Sequence, residues 1–410
     1  MSHYAVVTPP LFSHIRAMEA LAQYLIDRGH RITFFQQPGA RPLLREPRVH
    51  FVAVGQDTGP AAISLPYATG VLRLTTILAN TTDMLCRTLP QAFKQQGIEG
   101  VIADQMEPAG GLVAQALGLP FVSVACALPV NRDETIPLPV MPFRYTASAC
   151  SRKLYTSSVR IYDRLMAQQG KVIACHARAF GLTARSRLDE CLSPLAQISQ
   201  TIPGFDFPRQ LPACFHAVGP LRRKPVHRQN SDKQPFVFAS LGTMQGHRYG
   251  LFRTIASACR QAGIALLIAH CDGLNIRQIQ RLERDGVQTI SFTDQVAILQ
   301  QASVVITHGG LNTVMDAIAT ATPVLAIPLA FDQPGVAARV VFSGIGRKAS
   351  RFSCSRTLSR HLHELLHDQR YRRRLSVLQK QLSHAGGASR AARIVEQALE
   401  TRHIVPTGSV

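Results

Sequence analysis

A histidine, two glycines, an asparagine and a threonine follow one apolar run in the second half of the chain. The segment HGGLNTVMDA (308–317) reads as a turn that opens a helix, and Gly310 permits the abrupt turn. Asn312 and Thr313 stand in the first helical turn, where unpaired N–H groups and the helix dipole favour phosphate. Asp316 lies one turn further on the same face, where its carboxylate could accept hydrogen bonds from ribose hydroxyls. The segment predicts a nucleotide site; a capped helix beside an incidental histidine is the alternative.

Two further loops follow predicted strands of the same half. SLGT (240–243) is a small polar loop whose glycine lets backbone N–H groups approach an anion closely. Asp332 and Gln333 follow the strand PVLAI (323–327), and adjacent carboxylate and amide side chains are suited to binding sugar hydroxyls. Each loop alone could be a plain surface turn. Because ligands of such sheets bind at the carboxyl ends of the strands, all three segments should converge on one ligand.

A second candidate for chemistry lies near the start of the chain, in TPPLFSHIRAM (8–18). Ser13 is a good N-cap, which would make His14 the first helical residue. The dipole disfavours a cationic imidazole at a helix N-terminus, so His14 is expected to stay neutral and able to accept a proton. That property suits a general base. A histidine that only caps or packs is the alternative interpretation.

Short β-branched runs alternate with amphipathic helical patterns in both halves, which is typical of βαβ units with parallel sheets. The predicted strands of the first half are YAVVT (4–8), RITFF (31–35), GVIAD (100–104) and FVSVA (121–125). Those of the second half are FVFAS (236–240), ALLIA (265–269), VQTIS (287–291), SVVIT (303–307) and PVLAI (323–327). The predicted fold class is α/β, with two doubly wound Rossmann-like domains that face a cleft.

Residues 206–235 are rich in proline and basic residues and are predicted to form an interdomain linker. The first domain then covers residues 1–205, and the second, nucleotide-binding domain covers residues 236–385. Residues 386–410 are predicted to form a closing helix and tail. The length of 410 residues agrees with two domains, because single hydrophobic cores stop growing near roughly 250–300 residues.

The composition is that of a globular protein with an excess of positive charge. Hydrophobic residues make up 46% and charged residues 17%, and 45 basic against 25 acidic residues give a formal charge of +20. Such a charge serves solubility alone, or attracts an anionic membrane face, an anionic substrate or nucleic acid. Nucleic acid is disfavoured, since tryptophan is absent, aromatic residues make up only 6%, and zinc-finger, KH and RNP motifs do not occur.

Cysteine usage and hydropathy point to the cytoplasm. Nine cysteines without a C-x-x-C pair argue against a disulfide framework and against structural zinc. The N-terminus lacks the basic and apolar regions of a signal peptide, and polar residues interrupt the most apolar stretch, 304–331. Any membrane contact is therefore predicted to be peripheral, on the inner face of the cytoplasmic membrane.

The three segments of the second half resemble one family. The span FTDQVAILQQASVVITHGGLNTVMDAIATATPVLAIPLAFDQ (292–333) is similar to the donor-binding signature of UDP-dependent glycosyltransferases with the two-domain B-type (GT-B) fold. The shared frame is an aromatic residue, a glutamine, His-x-Gly-x-Asn-Ser/Thr, an acid, a proline and a final acid-Gln pair. The resemblance implies that His308 binds the diphosphate of a UDP-sugar. It also implies that the phosphates are surrounded by Ser240, Gly242, Thr243, Gly310, Asn312 and Thr313.

The resemblance assigns the remaining polar groups to the two ends of the donor. Phe292 would stack on the uracil, where many relatives use tryptophan, and Gln295 would lie beside the nucleoside. Asp316 would hold the ribose, although relatives usually have the longer glutamate at this position. Asp332 and Gln333 would bind the sugar hydroxyls.

The resemblance extends to the first half of the chain and implies which residue acts as the general base. Relatives place their catalytic histidine in the loop that contains His14, and Asp104 matches the acid that orients it. A carboxylate on the imidazole N–H fixes the tautomer and stabilises the imidazolium as it forms. His14 would then deprotonate an acceptor hydroxyl, which attacks the anomeric carbon in line and inverts it. Asp104 as a simple strand-end cap is the alternative.

Further stretches resemble the branch of this family that glucosylates carotenoids, among them TTDMLCRTLPQAF (81–93), SPLAQISQ (193–200) and LPACFHAVGPLR (211–222). This resemblance implies UDP-glucose as the donor and the ring hydroxyls of a lipophilic carotenoid diol as the acceptor. The acceptor would bind the apolar segments 65–86 and 125–143 of the first domain.

Other functions stay open at this level. A related transferase for a macrolide, flavonoid or other lipophilic acceptor would share the donor site, and an epimerase of the same fold would convert UDP-sugars without an acceptor. A non-catalytic protein that only binds UDP-sugar is disfavoured by the presence of both His14 and Asp104. A dinucleotide oxidoreductase is disfavoured because no G-x-G-x-x-G follows the first strand. The chain has no D-x-D motif, so neither a metal nor another cofactor is predicted.

Overall fold

The computed structural model describes residues 1–57, 71–222 and 234–409, with the side chains of residues 71–74 left aside. The predicted linker and the predicted acceptor segment 65–86 therefore lie partly outside the described residues. Within them, the chain forms two parallel sheets, one in each half. No described helix is both long and apolar enough to cross a membrane.

The first sheet has the strand order β3-β2-β1-β4-β5-β6-β7, and its neighbouring strands are parallel. The strands are β1 (His3–Val7), β2 (Arg31–Gln36), β3 (His50–Ala53), β4 (Gly100–Asp104), β5 (Phe121–Ala125), β6 (Gln197–Ser199) and β7 (Phe215–Ala217). The α-helices of this half are α1 (Phe12–Asp27), α2 (Val71–Gln96), α3 (Ala109–Ala116), α4 (Ala149–Leu165) and α5 (Ala167–Ala179).

The second sheet has the order β10-β9-β8-β11-β12-β13 and is also parallel. Its strands are β8 (Phe236–Ser240), β9 (Ala265–Ala269), β10 (Gln288–Ile290), β11 (Val304–Thr307), β12 (Val324–Ala326) and β13 (Gly346–Lys348). The helices are α6 (Tyr249–Gln261), α7 (Ile276–Arg284), α8 (Gln295–Leu299), α9 (Leu311–Ala319), α10 (Gln333–Phe342), α11 (Ser355–His367), α12 (Gln369–His384) and α13 (Gly387–Thr401).

Each sheet is buried on both faces, which explains why its strands read as continuous apolar runs. Successive side chains of a strand point to opposite faces, so alternate residues enter different cores. Tyr4 and Val6 of β1 pack in one core of the first domain, whereas Ala5 and Val7 pack in another. The two-domain α/β architecture predicted from the alternation of elements is thus present.

Four strands of the two sheets were not predicted from the sequence. The nine predicted strands are all present with each end within one residue, but β3, β6, β7 and β13 were not predicted. Three of these lie at sheet edges and all are three or four residues long, too short to show an alternating pattern. β7 lies inside the predicted linker 206–235, so the end of the first domain at residue 205 was placed too early.

The last helix returns to the first domain. α12 packs against α9, with Leu378 in the core of the second domain. Gly386 and Gly387 then turn the chain with φ of +90° and +56°, and α13 packs against α1 with Ile394 buried. The Gly387 N–H donates to the Val218 carbonyl (2.7 Å). The chain therefore returns to the first domain after α12, and this return segment is bonded to the residue that follows β7.

Candidate active site

A cavity of about 1510 Å³ lies between the two domains, at the carboxyl ends of the central strands. Twelve of the fourteen predicted site residues line it, and Asp104 and Asp316 lie behind its walls. The lining also includes parts of both predicted acceptor segments, for example Leu78 and Met141. The structure therefore brings the two halves of the predicted site to one cleft.

The predicted partnership of His14 and Asp104 is present. His14 Nδ1 lies 2.6 Å from Asp104 Oδ2, and both side chains are buried. The carboxylate also accepts hydrogen bonds from Thr8 Oγ1 (3.1 Å) and the Met106 N–H (2.9 Å), which hold it in place. With Nδ1–H donated to the carboxylate, Nε2 carries the lone pair that can accept a proton.

The predicted reason for the neutrality of His14 is wrong. α1 begins at Phe12 with Leu11 as its N-cap, so Ser13 lies inside the helix and caps nothing. Burial alone would lower the pKa of His14, but the charge and hydrogen bond of Asp104, aided by Asp332, outweigh burial and raise this pKa above 6.5. The adjacent carboxylate therefore raises the pKa of this histidine despite its burial.

The raised pKa of His14 predicts how the rate of the expected glycosyl transfer depends on pH. A base works only when neutral, so kcat/KM for transfer should fall as the pH decreases through the raised pKa of His14. Asp104→Asn removes the charge that raises the pKa of His14. The acid limb of the pH–rate profile should therefore move to lower pH, and the maximal rate should also decrease. Rate profiles for both proteins test this expectation. An acid limb that stays in place in the variant would assign the titration to another group.

The predicted phosphate turn forms as expected from its glycines. β11 ends at Thr307, and α9 begins after Gly310. Gly310 is the N-cap of α9 and has no side chain that could accept a hydrogen bond from the first N–H groups of the helix. The first N–H groups of α9 are therefore available to an anion in the cleft. Gly309 has a φ of +85°, which favours glycine at this turn.

His308 is enclosed by two glycines. A Cβ at Gly242 would lie 2.7 Å from His308 Cε1, and one at Gly310 would lie 2.8 Å from His308 Nε2. Burial lowers the pKa of His308 to about 4, with a smaller opposing effect from a backbone hydrogen bond at Ser240. The imidazole is thus neutral at physiological pH and can donate one N–H bond to a phosphate oxygen without carrying a charge.

The structure places Asp316 behind the wall of the cleft, and its predicted contact with ribose stays untested. Its side chain does not line the cleft and the residue is only 1% exposed. The carboxylate forms an ion pair with Arg222 and accepts a bond from Gln295 Nε2 (2.6 Å). Arg222 also donates to the Asn312 carbonyl (3.0 Å). The short acid therefore holds two side chains, those of Arg222 and Gln295, that line the cleft.

Arg222 was not predicted from the sequence, because it stands in a basic segment without a motif and lies far along the chain from Asp316. Arg222→Ala should raise the KM for the nucleotide donor about tenfold, the scale of a hydrogen bond to a charged group, while kcat changes less. Titration of UDP by calorimetry measures the same loss directly. Arg253→Ala, an exposed arginine on α6 outside the cleft, is the matched control. Equal affinities in both variants would contradict this role of Arg222.

At the predicted nucleoside end of the site, the ring of Phe292 is exposed and the amide of Gln295 is held by hydrogen bonds. Phe292 lines the cleft and is 54% exposed, so its face is free for stacking. Gln295, the first residue of α8, bonds Asp316 and accepts from Thr313 Oγ1 (3.2 Å). Its amide is thus engaged on both sides, and the prediction that it contacts the nucleoside stays untested.

At the predicted sugar end of the site, a hydrogen bond joins the two domains. Asp332 Oδ2 accepts a hydrogen bond from the Leu128 N–H (3.1 Å) of the first domain. Burial raises the pKa of Asp332, and the Leu128 hydrogen bond and the charge of His14 oppose this rise. Gln333 Oε1 accepts from the N–H groups of Leu329 and Ala330, both at 2.8 Å, so its amino group remains for a ligand.

Two further residues near the dyad were not predicted. Burial raises the pKa of Glu107 to about 8, although bonds from Ala109 and Thr82 oppose this, so this carboxyl favours its neutral form at pH 7. Cys126 is buried beside the dyad, and ligand atoms of His14, Asp104 and Cys126 lie within 4.8 Å of one another. Such a group could hold a metal ion, and the absence of a metal stays a prediction.

Comparisons with known proteins agree with this geometry. The UDP-glucoronosyl and UDP-glucosyl transferase family model matches residues 77–384. The chain is 50% identical to a zeaxanthin glucosyltransferase of Pantoea ananas, over 100% of this chain and 99% of that protein. It is 49% identical to another of Pseudescherichia vulneris, over 97% and 98%. The solved structure of the glycotransferase of kitacinnamycin matches with a TM-score of 0.79 at 19% identity, covering 97% of this chain and 99% of that one. The chain therefore belongs to the UDP-glycosyltransferase family, and its two parallel-sheet domains form the B-type fold of these enzymes.

Proposed function

We propose that this glycosyltransferase transfers glucose from UDP-glucose to the ring hydroxyls of zeaxanthin, giving the mono- and then the diglucoside with release of UDP. The observation that carries the proposal is the identity of about half over the full length to two proteins named zeaxanthin glucosyltransferase. The cleft supports it, because one wall carries a buried His–Asp pair and the other an uncapped helix N-terminus suited to a diphosphate.

The apolar lining of the acceptor side supports a lipophilic acceptor. Side chains from the segments 75–86 and 125–143 and from α5 face this part of the cavity. They include Ile77, Leu78, Leu128, Leu138, Val140, Met141 and Ile173. A carotenoid end group would bury its ring against such a surface, with its hydroxyl directed at His14.

The proposed reaction is a single displacement. His14 Nε2 accepts the proton of the acceptor hydroxyl, the hydroxyl oxygen bonds to the anomeric carbon, and the bond from that carbon to the UDP oxygen breaks. Asp104 stabilises the imidazolium that forms. The charge that develops on UDP is stabilised by the first N–H groups of α9 and the neutral His308 N–H. The α-linked donor thus yields a β-glucoside.

Asp332 and Gln333 are proposed to bind the glucose hydroxyls, and Phe292 the uracil. We also propose that the enzyme works in the cytoplasm at the inner face of the membrane, where a carotenoid partitions. The net charge of +20 supports attraction to an anionic surface.

Incubation of the purified enzyme with UDP-glucose and zeaxanthin tests the function. The expected products are the mono- and diglucoside in the β configuration, with one UDP released per glucose. A parallel panel of UDP-sugars and of macrolide and flavonoid acceptors measures selectivity. Transfer to those acceptors without transfer to zeaxanthin would overturn the acceptor, and conversion of UDP-glucose to another UDP-sugar without an acceptor would overturn the reaction.

A further inference from the structure

α4 carries a stripe of large apolar side chains on its solvent face. Leu154, Ile161 and Leu165 are 48%, 62% and 42% exposed. Their spacing of seven and four residues places them on one face of the helix. On the other described helices, large exposed apolar residues stand singly, as Ile276 does on α7 and Val377 on α12. A row of three is therefore a distinct feature of α4.

A basic stripe runs beside the apolar one. Lys153, Arg160 and Arg164 each precede one of the three apolar residues, and all three are exposed. Within the described residues, none of these cations has an ion-pair or hydrogen-bond partner. The single acid of α4, Asp163, is paired with Arg132 instead (2.5 Å). The exposed face of the helix thus combines aliphatic side chains with uncompensated positive charge.

The stripe leads to the acceptor side of the cleft. Tyr162 and Leu165 at the end of α4, and Met166 directly after it, line the cavity. Lys171 of α5, which follows, also lines it and is exposed. The apolar stripe is therefore continuous with the wall along which an apolar acceptor would enter.

We propose that α4 docks on the surface of an anionic phospholipid bilayer, with its apolar stripe at the boundary of headgroups and acyl chains and its basic stripe on lipid phosphates. Aliphatic side chains flanked by Lys and Arg are the composition that binds this interface. A lipophilic acceptor then passes from the bilayer to His14 without crossing water. This last step rests on the proposed function, whereas the docking itself does not.

Co-sedimentation of the full-length enzyme with vesicles tests the docking. Binding is expected to vesicles of phosphatidylglycerol and phosphatidylcholine, and much less to phosphatidylcholine alone. Leu154→Ser/Ile161→Ser should weaken the partition coefficient at least about tenfold, because two aliphatic side chains leave the interface. Lys153→Gln/Arg160→Gln should weaken it by about fivefold per charge at low salt and less at high salt.

Ile276→Ser/Val377→Ser is the matched control, since it removes two exposed aliphatic side chains beside basic residues elsewhere on the molecule. It should bind vesicles as the wild type does, and circular dichroism should show unchanged helix content in all variants. Failure of the wild type to bind anionic vesicles, or an equal loss in the control, would overturn the docking.

Activity separates this inference from the proposed function. With zeaxanthin in detergent, Leu154→Ser/Ile161→Ser should transfer glucose at the wild-type rate. With zeaxanthin embedded in anionic vesicles, the same variant should be slower by the factor lost in vesicle binding. An enzyme that binds vesicles but never glucosylates zeaxanthin would refute the acceptor and leave the docking intact. Equal loss of rate in detergent and vesicles would refute the role of α4 in delivery.

Discussion

Replacing His14 by Ala is expected to reduce kcat for glycosyl transfer about a thousandfold, within the range measured for the loss of a general base. His14 lines the cleft, and Nδ1 of its imidazole is bonded to Asp104 at 2.6 Å, which leaves Nε2 to accept a proton. Without it, the acceptor hydroxyl must lose its proton to water during the attack. Steady-state turnover of UDP-glucose with zeaxanthin measures the loss, and UDP affinity should stay unchanged because the donor groups lie in the other domain.

The chain offers a matched control for this substitution. His176 is also a buried histidine bonded to an aspartate, Asp83, at 2.8 Å, but it does not line the cleft. His176→Ala should keep turnover close to that of the wild type, even where it lowers stability. Near-wild-type turnover in His14→Ala would end the assignment of the base, and equal losses in both variants would attribute the effect to folding.

Replacing Asp206 by Ala is expected to lower the free energy of unfolding by about 3 kcal/mol or more, because it leaves a buried charge without its partner. Arg339 on α10 is only 1% exposed, and its Nε donates to Asp206 Oδ1 at 2.6 Å. The guanidinium also lies over the ring of Phe207, 4.2 Å from its centroid. Without the carboxylate, the buried charge of Arg339 has lost its partner. This loss costs far more free energy than the loss of one partner from an ion pair at the surface.

Urea unfolding followed by circular dichroism measures this effect. Asp285→Ala removes the partner of Arg260 in a solvent-exposed pair at 3.7 Å and should change the unfolding free energy by less than about 1 kcal/mol. Asp206 also pairs with the buried Arg209 at 2.7 Å, so the triple variant Asp206→Leu/Arg209→Met/Arg339→Met should recover much of the loss, since apolar side chains need no charge partner. Similar effects of Asp206→Ala and Asp285→Ala would show that the buried pair contributes little.

The donor half of the site was predictable because its residues follow one another along the chain. His308, Gly310 and Asn312 lie within one strand-turn-helix unit, so the local pattern alone gives the turn and the uncapped helix. The pairing of His14 with Asp104 joins distant segments, and only the family resemblance connected them before the structure did. Distances between such segments follow from the strand order, which places β1 beside β4.

The effects that the sequence pattern did not reveal have a common physical cause. Asp316 pairs with Arg222, a cation from another segment of the chain. The pKa of His14 is raised, where its place at a helix N-terminus suggested a neutral imidazole, because the charge and hydrogen bond of Asp104 outweigh burial. In both cases the partner is a charged side chain far along the chain, which leaves no periodic signal in the sequence.

The return of the last helix to the first domain links the end of the chain to its beginning. Gly387, which follows the second domain, donates its N–H to the carbonyl of Val218, directly after β7 of the first sheet. α13 then packs against α1, the helix that carries His14. The helix that holds the proposed base is therefore supported by the last helix of the chain, so the position of His14 depends on residues far beyond it in the sequence.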